Sequence, residues 1–165
     1  MVSDPVDELD RRLLDLVQED CRLSHAELGA RVGLSASAAH ERLRKLQARG
    51  VIRGYGARVD PKAVGLGVCA FILVVVERPE QEPAFREAVA QLAEVQECHH
   101  AAGEFSYLLK VRVADTDGLE RFIMEKLKVL AGVVRSQTMI VLSTQKETAA
   151  VACALPTATS GTEGM

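Results

Sequence analysis

Residues 24–46, which read SHAELGARVGLSASAAHERLRKL, decide the fold of the N-terminal part of this chain. Ser24 and Glu27 have the spacing of a capping box, which predicts the start of a short helix. Gly33 suits the left-handed position that ends a helix, and Ser35 suits the cap of the helix that follows. Two helices separated by Gly-Leu-Ser predict a helix-turn-helix.

The flanking sequence completes a small N-terminal domain, which we place at residues 1–60. A first helix is predicted from about Asp7 to Glu19, because its leucines and Val17 form one apolar stripe. Residues 51–55 and 57–59 predict two short strands around a glycine turn. The domain is therefore predicted to be a winged helix-turn-helix.

The second half of the chain alternates strands and helices. The β-branched and aliphatic run Val68–Val76 predicts a strand that is buried on both faces. Further strands are predicted at residues 95–102, 105–113 and 133–142, and helices at residues 83–93 and 115–130. This βαββαβ order predicts a ferredoxin-like domain of the α+β class over residues 67–147, after a linker at 61–66. Residues 148–165 are rich in Ala, Thr, Ser and Gly and predict a flexible tail.

The composition excludes several classes of protein. With 165 residues, 48% of them hydrophobic, the chain has the composition of a folded protein rather than a disordered one. No apolar run is long enough to span a bilayer, no signal peptide is recognisable, and the four cysteines form no Cys-x-x-Cys pair. We therefore expect a cytoplasmic protein with reduced thiols and no membrane partner. No nucleophile–base pair, phosphate loop or dense carboxylate set stands out, so no catalytic residues are assigned and no enzyme is expected.

Charge is concentrated in the helix-turn-helix. Between Arg31 and Arg58 there are seven cations and one acid, so this stretch carries about +6, whereas the formal net charge of the chain is −3. A basic second helix predicts binding to double-stranded DNA, although charge alone is equally typical of a solvated helix face. Ser37, His40 and Arg44 are predicted to face outward, where they can reach base edges or phosphates. The predicted DNA-binding set is completed by Ser35 at the helix start and by four candidate phosphate contacts, Arg42, Lys45, Arg49 and Arg53.

Three motifs of this domain together resemble a known family. The stretch from Leu9 to Gly65, with GLS at 33–35, RLRKL at 42–46 and GVIRGY at 50–55, resembles the Lrp/AsnC (feast/famine) regulators. The second half, with AGEFSYLLK at 102–110 and the strand at 133–142, resembles their ligand-sensing and dimerisation domain. The resemblance covers residues 7–147. It implies a sequence-specific transcriptional regulator that forms homodimers, commonly assembled to octamers, with an amino acid or related metabolite bound between dimers.

The resemblance also implies a set of effector-binding residues. They are Gly103, Glu104, Ser106 and Tyr107, with Ser136 and Thr138 from a facing subunit. A glycine turn offers backbone amides to a carboxylate, and a nearby acid would hold an α-ammonium group. The family usually has Asp where this chain has Ser106, so the ligand differs, Glu104 replaces the acid, or the pocket is vestigial. The simpler interpretation of Gly103-Glu104 is a hairpin turn.

The sequence is also compatible with other interpretations. Cys98, His99 and His100 suggest a metal site, but alternation along a strand places His99 on the opposite face, and two ligands do not close a zinc site. No metal and no cofactor other than the amino-acid effector is therefore predicted, and His25 is interpreted as a surface residue. The alternative functions are a ligand-independent regulator or DNA-organising protein, a small-molecule sensor that does not bind DNA, and an enzyme on a ferredoxin-like domain.

Overall fold

The structure, a computed structural model, describes residues 6–153. Its contacts divide the chain into two compact units. Among these residues, one unit contains residues 6–57 together with residues 147–153, and the other contains Arg58–Lys146. These divisions lie close to the predicted domain boundaries, except that the segment after Lys146 belongs to the N-terminal unit.

The N-terminal unit contains the three predicted helices. They are α1 (Glu8–Glu19), α2 (His25–Val32) and α3 (Ala36–Ala48). Their core is aliphatic, and its most deeply buried members are Leu13, Leu28, Ala39, Leu43 and Leu46. The inward positions of α3 follow the predicted i, i+4, i+7 spacing.

Local capping explains where these helices begin and end. The capping box of Ser24 and Glu27 is present, the side chain of Ser35 accepts a hydrogen bond from the amide of Ala38, and Gly33 adopts a left-handed conformation at φ 76°. Gly29 serves a different purpose. A Cβ atom at this position would lie 2.6 Å from the carbonyl oxygen of Leu34, so only glycine allows the turn to pack this closely on α2.

The predicted wing is not formed. Within residues 6–153 no strand lies before Val68, and residues 51–60 have no regular structure. The amides of Val51 and Ile52 instead both donate to the carbonyl of Leu46, at 2.9 and 3.3 Å, and only Ile52 joins the core. Two strands of three to five residues interrupted by glycines bury too little surface to hold a hairpin together. The winged form of the prediction is therefore wrong, whereas the helix-turn-helix is confirmed.

The C-terminal unit has the predicted ferredoxin-like order. Its elements are β1 (Val68–Val76), α4 (Glu82–Ala90), β2 (Val95–His100), β3 (Tyr107–Val113), α5 (Thr116–Arg121), a π-helical continuation of α5 (Phe122–Leu127), and β4 (Val133–Ile140). All pairings are antiparallel, in the order β2-β3-β1-β4. Side chains from β1, β3, α4 and the helical segment after β3 form one core, which includes Ile72, Leu109, Phe85 and Phe122.

Strand β1 is fully buried on one face only. Ile72 and Val74 are completely buried, whereas the alternate residues Phe71, Leu73 and Val75 are half-buried. The prediction of burial on both faces is therefore wrong for a single chain, because the two helices cover one side of the sheet. The opposite side remains partly exposed apolar surface.

The segment after β4 hydrogen bonds to α1, which corrects the prediction of a flexible tail for residues 148–153. The side-chain amide of Gln18 pairs with both backbone groups of Val151, at 2.8 and 3.0 Å. The guanidinium of Arg11 donates to the carbonyl of Cys153 at 2.8 Å, and Asp15 accepts from its amide at 3.2 Å. Composition did not reveal this contact because it uses the backbone of the segment rather than apolar side chains. The predicted tail beyond Cys153 lies outside the described residues.

Removing this contact is expected to destabilise the N-terminal unit. Deletion of residues 148–165 should lower the melting temperature by about 2–8 °C, since a few partly exposed hydrogen bonds together contribute about 1–2 kcal/mol. Deletion of residues 154–165 is the matched control, because it leaves every described contact in place. Equal melting temperatures for the two truncated proteins, measured by calorimetry, would show that the contact contributes no stability.

Candidate DNA-binding surface and effector region

The outward face of α3 carries the residues predicted to contact DNA. Ser37, His40 and Arg44 are exposed, as predicted from the buried positions of Ala39 and Leu43. Three further cations of the predicted DNA-binding set, Lys45, Arg49 and Arg53, are also exposed. The structure thus brings together a basic surface along α3 and the segment that follows it.

Arg42 does not belong to this surface. Its guanidinium nitrogen Nη1 lies 2.6 Å from Asp7 and 2.8 Å from Asp10, both at the start of α1. The side chain of Asp10 is only 10% exposed, so the ion pair is partly buried and stabilises the packing of α3 on α1. The prediction that Arg42 contacts phosphate is therefore corrected. Charge alone did not distinguish a cation that binds DNA from one that is neutralised within the domain.

The side chains of Ser35, Ser37 and Arg44 have hydrogen-bond partners within α3. The Ser35 hydroxyl caps α3 and lies 3.1 Å from the hydroxyl of Ser37. Arg44 forms a two-pronged ion pair with Glu41, at 2.8 and 2.9 Å, and this pair lowers the pKa of Glu41. Because both partners are exposed, Arg44 can exchange Glu41 for another acceptor at small cost.

The turn between β2 and β3 contains the first part of the predicted effector region. Gly103 has φ 146°, which only glycine adopts readily, so the predicted turn is present. Glu104 forms an ion pair with Arg135 of β4, and the Arg135 guanidinium lies 4.5 Å from the centre of the Phe105 ring. Arg135 was not predicted, because 31 residues separate it from Glu104 and no local spacing links them.

Ser106 and Tyr107 are integrated into the fold. The hydroxyl of Ser106 accepts from the amide of Val76 at 3.4 Å, and its own amide donates to the carbonyl of Val74 at 2.9 Å. The Tyr107 ring is 1% exposed, and its hydroxyl donates to Glu82 at 3.1 Å. Burial, together with this hydrogen bond, raises the pKa of Tyr107. Tyr107 is therefore a core residue rather than a wall of an open pocket, which corrects its predicted role.

Ser136 and Thr138 lie on β4 at the edge of the sheet. Ser136 pairs in register with Val74, and Thr138 with Ile72. Both are half-buried and share the helix-covered face of the sheet. Val74 separates Ser136 from Tyr107, so the two predicted parts of the effector region meet at one row of the sheet.

The histidine-rich strand β2 has the predicted alternation. Cys98 pairs with Leu109 and His100 with Tyr107 on the helix-covered face, whereas His99 lies on the other face with Glu97. Among residues 6–153, no group of three or more His, Cys, Asp or Glu side chains is placed to hold a metal ion. Over the same residues, no helix is long and apolar enough to cross a membrane.

Comparison with known proteins decides the family. Residues 6–47 match the AsnC-type helix-turn-helix domain, and residues 69–151 match the Lrp/AsnC ligand binding domain. Leucine-responsive regulatory proteins of Klebsiella pneumoniae and Escherichia coli are 38% identical over 144 residues, covering 86% of this chain and 88% of theirs. The chain belongs to the Lrp/AsnC family of transcriptional regulators.

Solved structures of this family have the same fold. A transcriptional regulator from Neisseria meningitidis in complex with L-methionine is 33% identical, with a TM-score of 0.84 over 89% of this chain and 96% of that chain. A feast or famine regulatory protein from M. tuberculosis complexed with L-methionine is 36% identical, with a TM-score of 0.82 over 89% and 99%. This Lrp/AsnC chain is thus a DNA-binding transcriptional regulator, with its helix-turn-helix followed by an α+β domain.

Replacement of Arg42 should reduce stability. Arg42→Gln is expected to lower the free energy of unfolding by about 1–3 kcal/mol, because it leaves Asp10 partly buried without its ion-pair partner. Lys45→Gln is the matched control on the same helix, since Lys45 is exposed and lies 3.9 Å from its acidic partner. Urea denaturation measures both variants. An unchanged stability for Arg42→Gln with weakened DNA binding would restore the phosphate role.

The loss of stability expected for Arg42→Gln depends on pH. Hydrogen bonds from the amide of Asp10 and from Arg42 lower the pKa of Asp7. A carboxyl group whose pKa is lowered by folding contributes stability at neutral pH and loses it as the pH falls through the lowered value. The difference in stability between wild type and Arg42→Gln should therefore shrink below about pH 4.

Proposed function

We propose that this regulator reads an operator with the outward face of α3 and that an amino acid bound at the β2–β3 turn modulates it. The observation that carries the DNA part of the proposal is the exposed basic surface of α3, whose opposite side is anchored by Ala39, Leu43 and Leu46. In a helix-turn-helix, this second helix lies in the major groove.

The proposed DNA contacts divide into two groups. Ser37, His40 and Arg44 lie near the start of α3, where side chains reach base edges or nearby phosphates, and Arg44 suits a two-pronged contact to guanine. Phosphate contacts are assigned to Lys45, Arg49 and Arg53, and Ser35 lies at the helix start beside them. Phosphate contacts position the protein on DNA without reading its sequence.

Substitutions at Arg44 and Arg53 should have different effects. Arg44→Ala is expected to weaken operator binding by about 1–3 kcal/mol and to leave binding to scrambled DNA nearly unchanged. Arg53→Ala should weaken both equally and reduce the slope of log affinity against log salt by about one. Fluorescence anisotropy over a salt series measures these effects, with Arg121→Ala in the C-terminal unit as control. Wild-type operator affinity for Arg44→Ala would show that α3 is oriented differently on DNA.

An amino-acid effector is supported by the two related structures that contain L-methionine and by the charges at the β2–β3 turn. Arg135 and Glu104 form an ion pair beside Gly103. An amino acid carries a carboxylate that can pair with Arg135 and an ammonium group that can pair with Glu104. It can therefore replace the Arg135–Glu104 ion pair with two ion pairs to the ligand. Because Ser106 cannot supply the usual negative charge, Glu104 is the acid that we assign to the ammonium group.

Calorimetry with L-methionine and a panel of amino acids tests this assignment. Arg135→Gln and Glu104→Gln should each weaken binding about tenfold or more, as expected for loss of a charge-assisted hydrogen bond of about 1.5–3 kcal/mol. Ser106→Asp should strengthen binding of at least one amino acid. Arg121→Gln, at the end of α5, is the control. If neither Arg135→Gln nor Glu104→Gln changes the affinity for amino acids, the ligand binds elsewhere. DNA binding without any amino-acid binding would favour the ligand-independent regulator.

We also propose that two chains associate through the open face of the sheet. The half-buried residues Phe71 and Leu73 lie on this face, and Met139, opposite Phe71, is 44% exposed. Covering this apolar surface favours association, and a two-fold dimer presents two copies of α3 to paired half-sites. Assembly of such dimers into an octamer is what the family resemblance implies.

A further inference from the structure

His25 and His40 form a pair that neither the core nor the capping of the helices explains. His25 is the first residue of α2, and His40 lies within α3. Nδ1 of His40 is 3.3 Å from Nε2 of His25, and the ring centres are 4.5 Å apart at 64°. Both side chains are exposed. A hydrogen bond between them therefore joins the two helices of the helix-turn-helix at the surface.

The surroundings of the pair contain no carboxylate among the lining residues. The two histidines line a cavity of about 270 Å³, together with apolar side chains from all three helices and the polar residues Arg44, Gln47 and Tyr55. Cys21, from the loop before α2, also lines it.

The nearby acids on α2 and α3 are engaged in other interactions. Glu41 is the neighbouring acid on α3, and its carboxylate is paired with Arg44. Glu27 of α2 is held in its capping box with Ser24. Burial raises the pKa of Tyr55, so this phenol is neutral at physiological pH.

The hydrogen bond limits how many protons the pair can carry. An N–H···N contact between two imidazoles needs one donor and one bare acceptor nitrogen. The contact is compatible with a neutral pair or with one extra proton, but two extra protons would place two donors against each other. Imidazole is the side chain that changes charge between about pH 5 and 8. The pair is therefore suited to holding a single positive charge shared between α2 and α3.

We propose that the His25–His40 pair binds one backbone phosphate of DNA and takes up one proton as it does so. The inference rests on the proposed docking of α3 in the major groove. In that arrangement α2, the first helix of the motif, crosses the DNA backbone while α3 lies in the major groove. The hydrogen-bonded histidines, one on each helix, then lie beside a backbone phosphate at the edge of the groove. A phosphate beside the pair favours its charged form, because an opposite charge within a few ångströms stabilises the protonated imidazole. The site thus makes operator affinity depend on pH.

Operator binding measured between pH 6 and 8 at constant ionic strength tests the proposal. For wild type we expect affinity to fall roughly tenfold over this range, since uptake of one proton allows at most a tenfold change per pH unit. His25→Gln and His40→Gln should each flatten this dependence, because glutamine keeps a hydrogen-bond donor but cannot be protonated. His99→Gln, an exposed histidine of the C-terminal unit, should retain the wild-type profile.

A salt series provides the second readout. At pH 6, His25→Gln and His40→Gln should each lower the salt dependence of log affinity by about one phosphate contact, whereas at pH 8 they should match wild type. All titrations contain EDTA, which excludes a metal bridge between the rings. Equal pH profiles and salt slopes for wild type and both variants would overturn the proposal while leaving DNA binding by α3 intact. A wild type that binds no duplex at any pH would overturn the docking of α3 itself.

Discussion

The packing of α3 on the other two helices is the constraint on which the DNA-binding unit depends. Ala39, Leu43 and Leu46 are almost completely buried, and they fix the rotation of α3 about its own axis. The ion pair of Arg42 with Asp10 fixes the same rotation from the polar side. Because a helix repeats every 3.6 residues, these anchors determine which side chains face solvent. The exposed basic surface is therefore a consequence of the core.

Features determined by neighbouring residues were predictable from the sequence. The capping box joins Ser24 and Glu27, three residues apart, and the inward positions of α3 follow spacings of four and seven residues. The left-handed turn after α2 depends on a single residue, Gly33. The prediction of a wing was wrong because residues with strand propensity form strands only when they pack against a partner surface. Residues 51–59 do not form strands in the described structure. The contact of residues 151–153 with α1 was not predicted because Gln18 hydrogen bonds to backbone groups. Every residue has these groups, so the amino-acid composition does not indicate such a contact.

The candidate sites show the same division. Periodicity placed Ser37, His40 and Arg44 correctly on the exposed face of α3, but it carried no information about partners. Arg42 is neutralised by residues 32 and 35 positions away, and Glu104 meets Arg135 across the sheet. Such pairs become visible only when strand register and helix packing are known. The burial of Tyr107 also depends on contacts between distant residues. Phe85 of α4 packs against its ring, and Glu82 of α4 accepts its hydroxyl hydrogen bond.

The most direct test of the account is selection of bound DNA from a random duplex library, using the full chain, followed by sequencing. A dimer that reads DNA with two copies of α3 predicts an enriched sequence with two-fold symmetry. Its half-sites should be separated, centre to centre, by about one helical turn of 10–10.5 base pairs or a multiple of it. Binding with no enriched sequence would contradict the account, because it would indicate a protein that organises DNA without reading it.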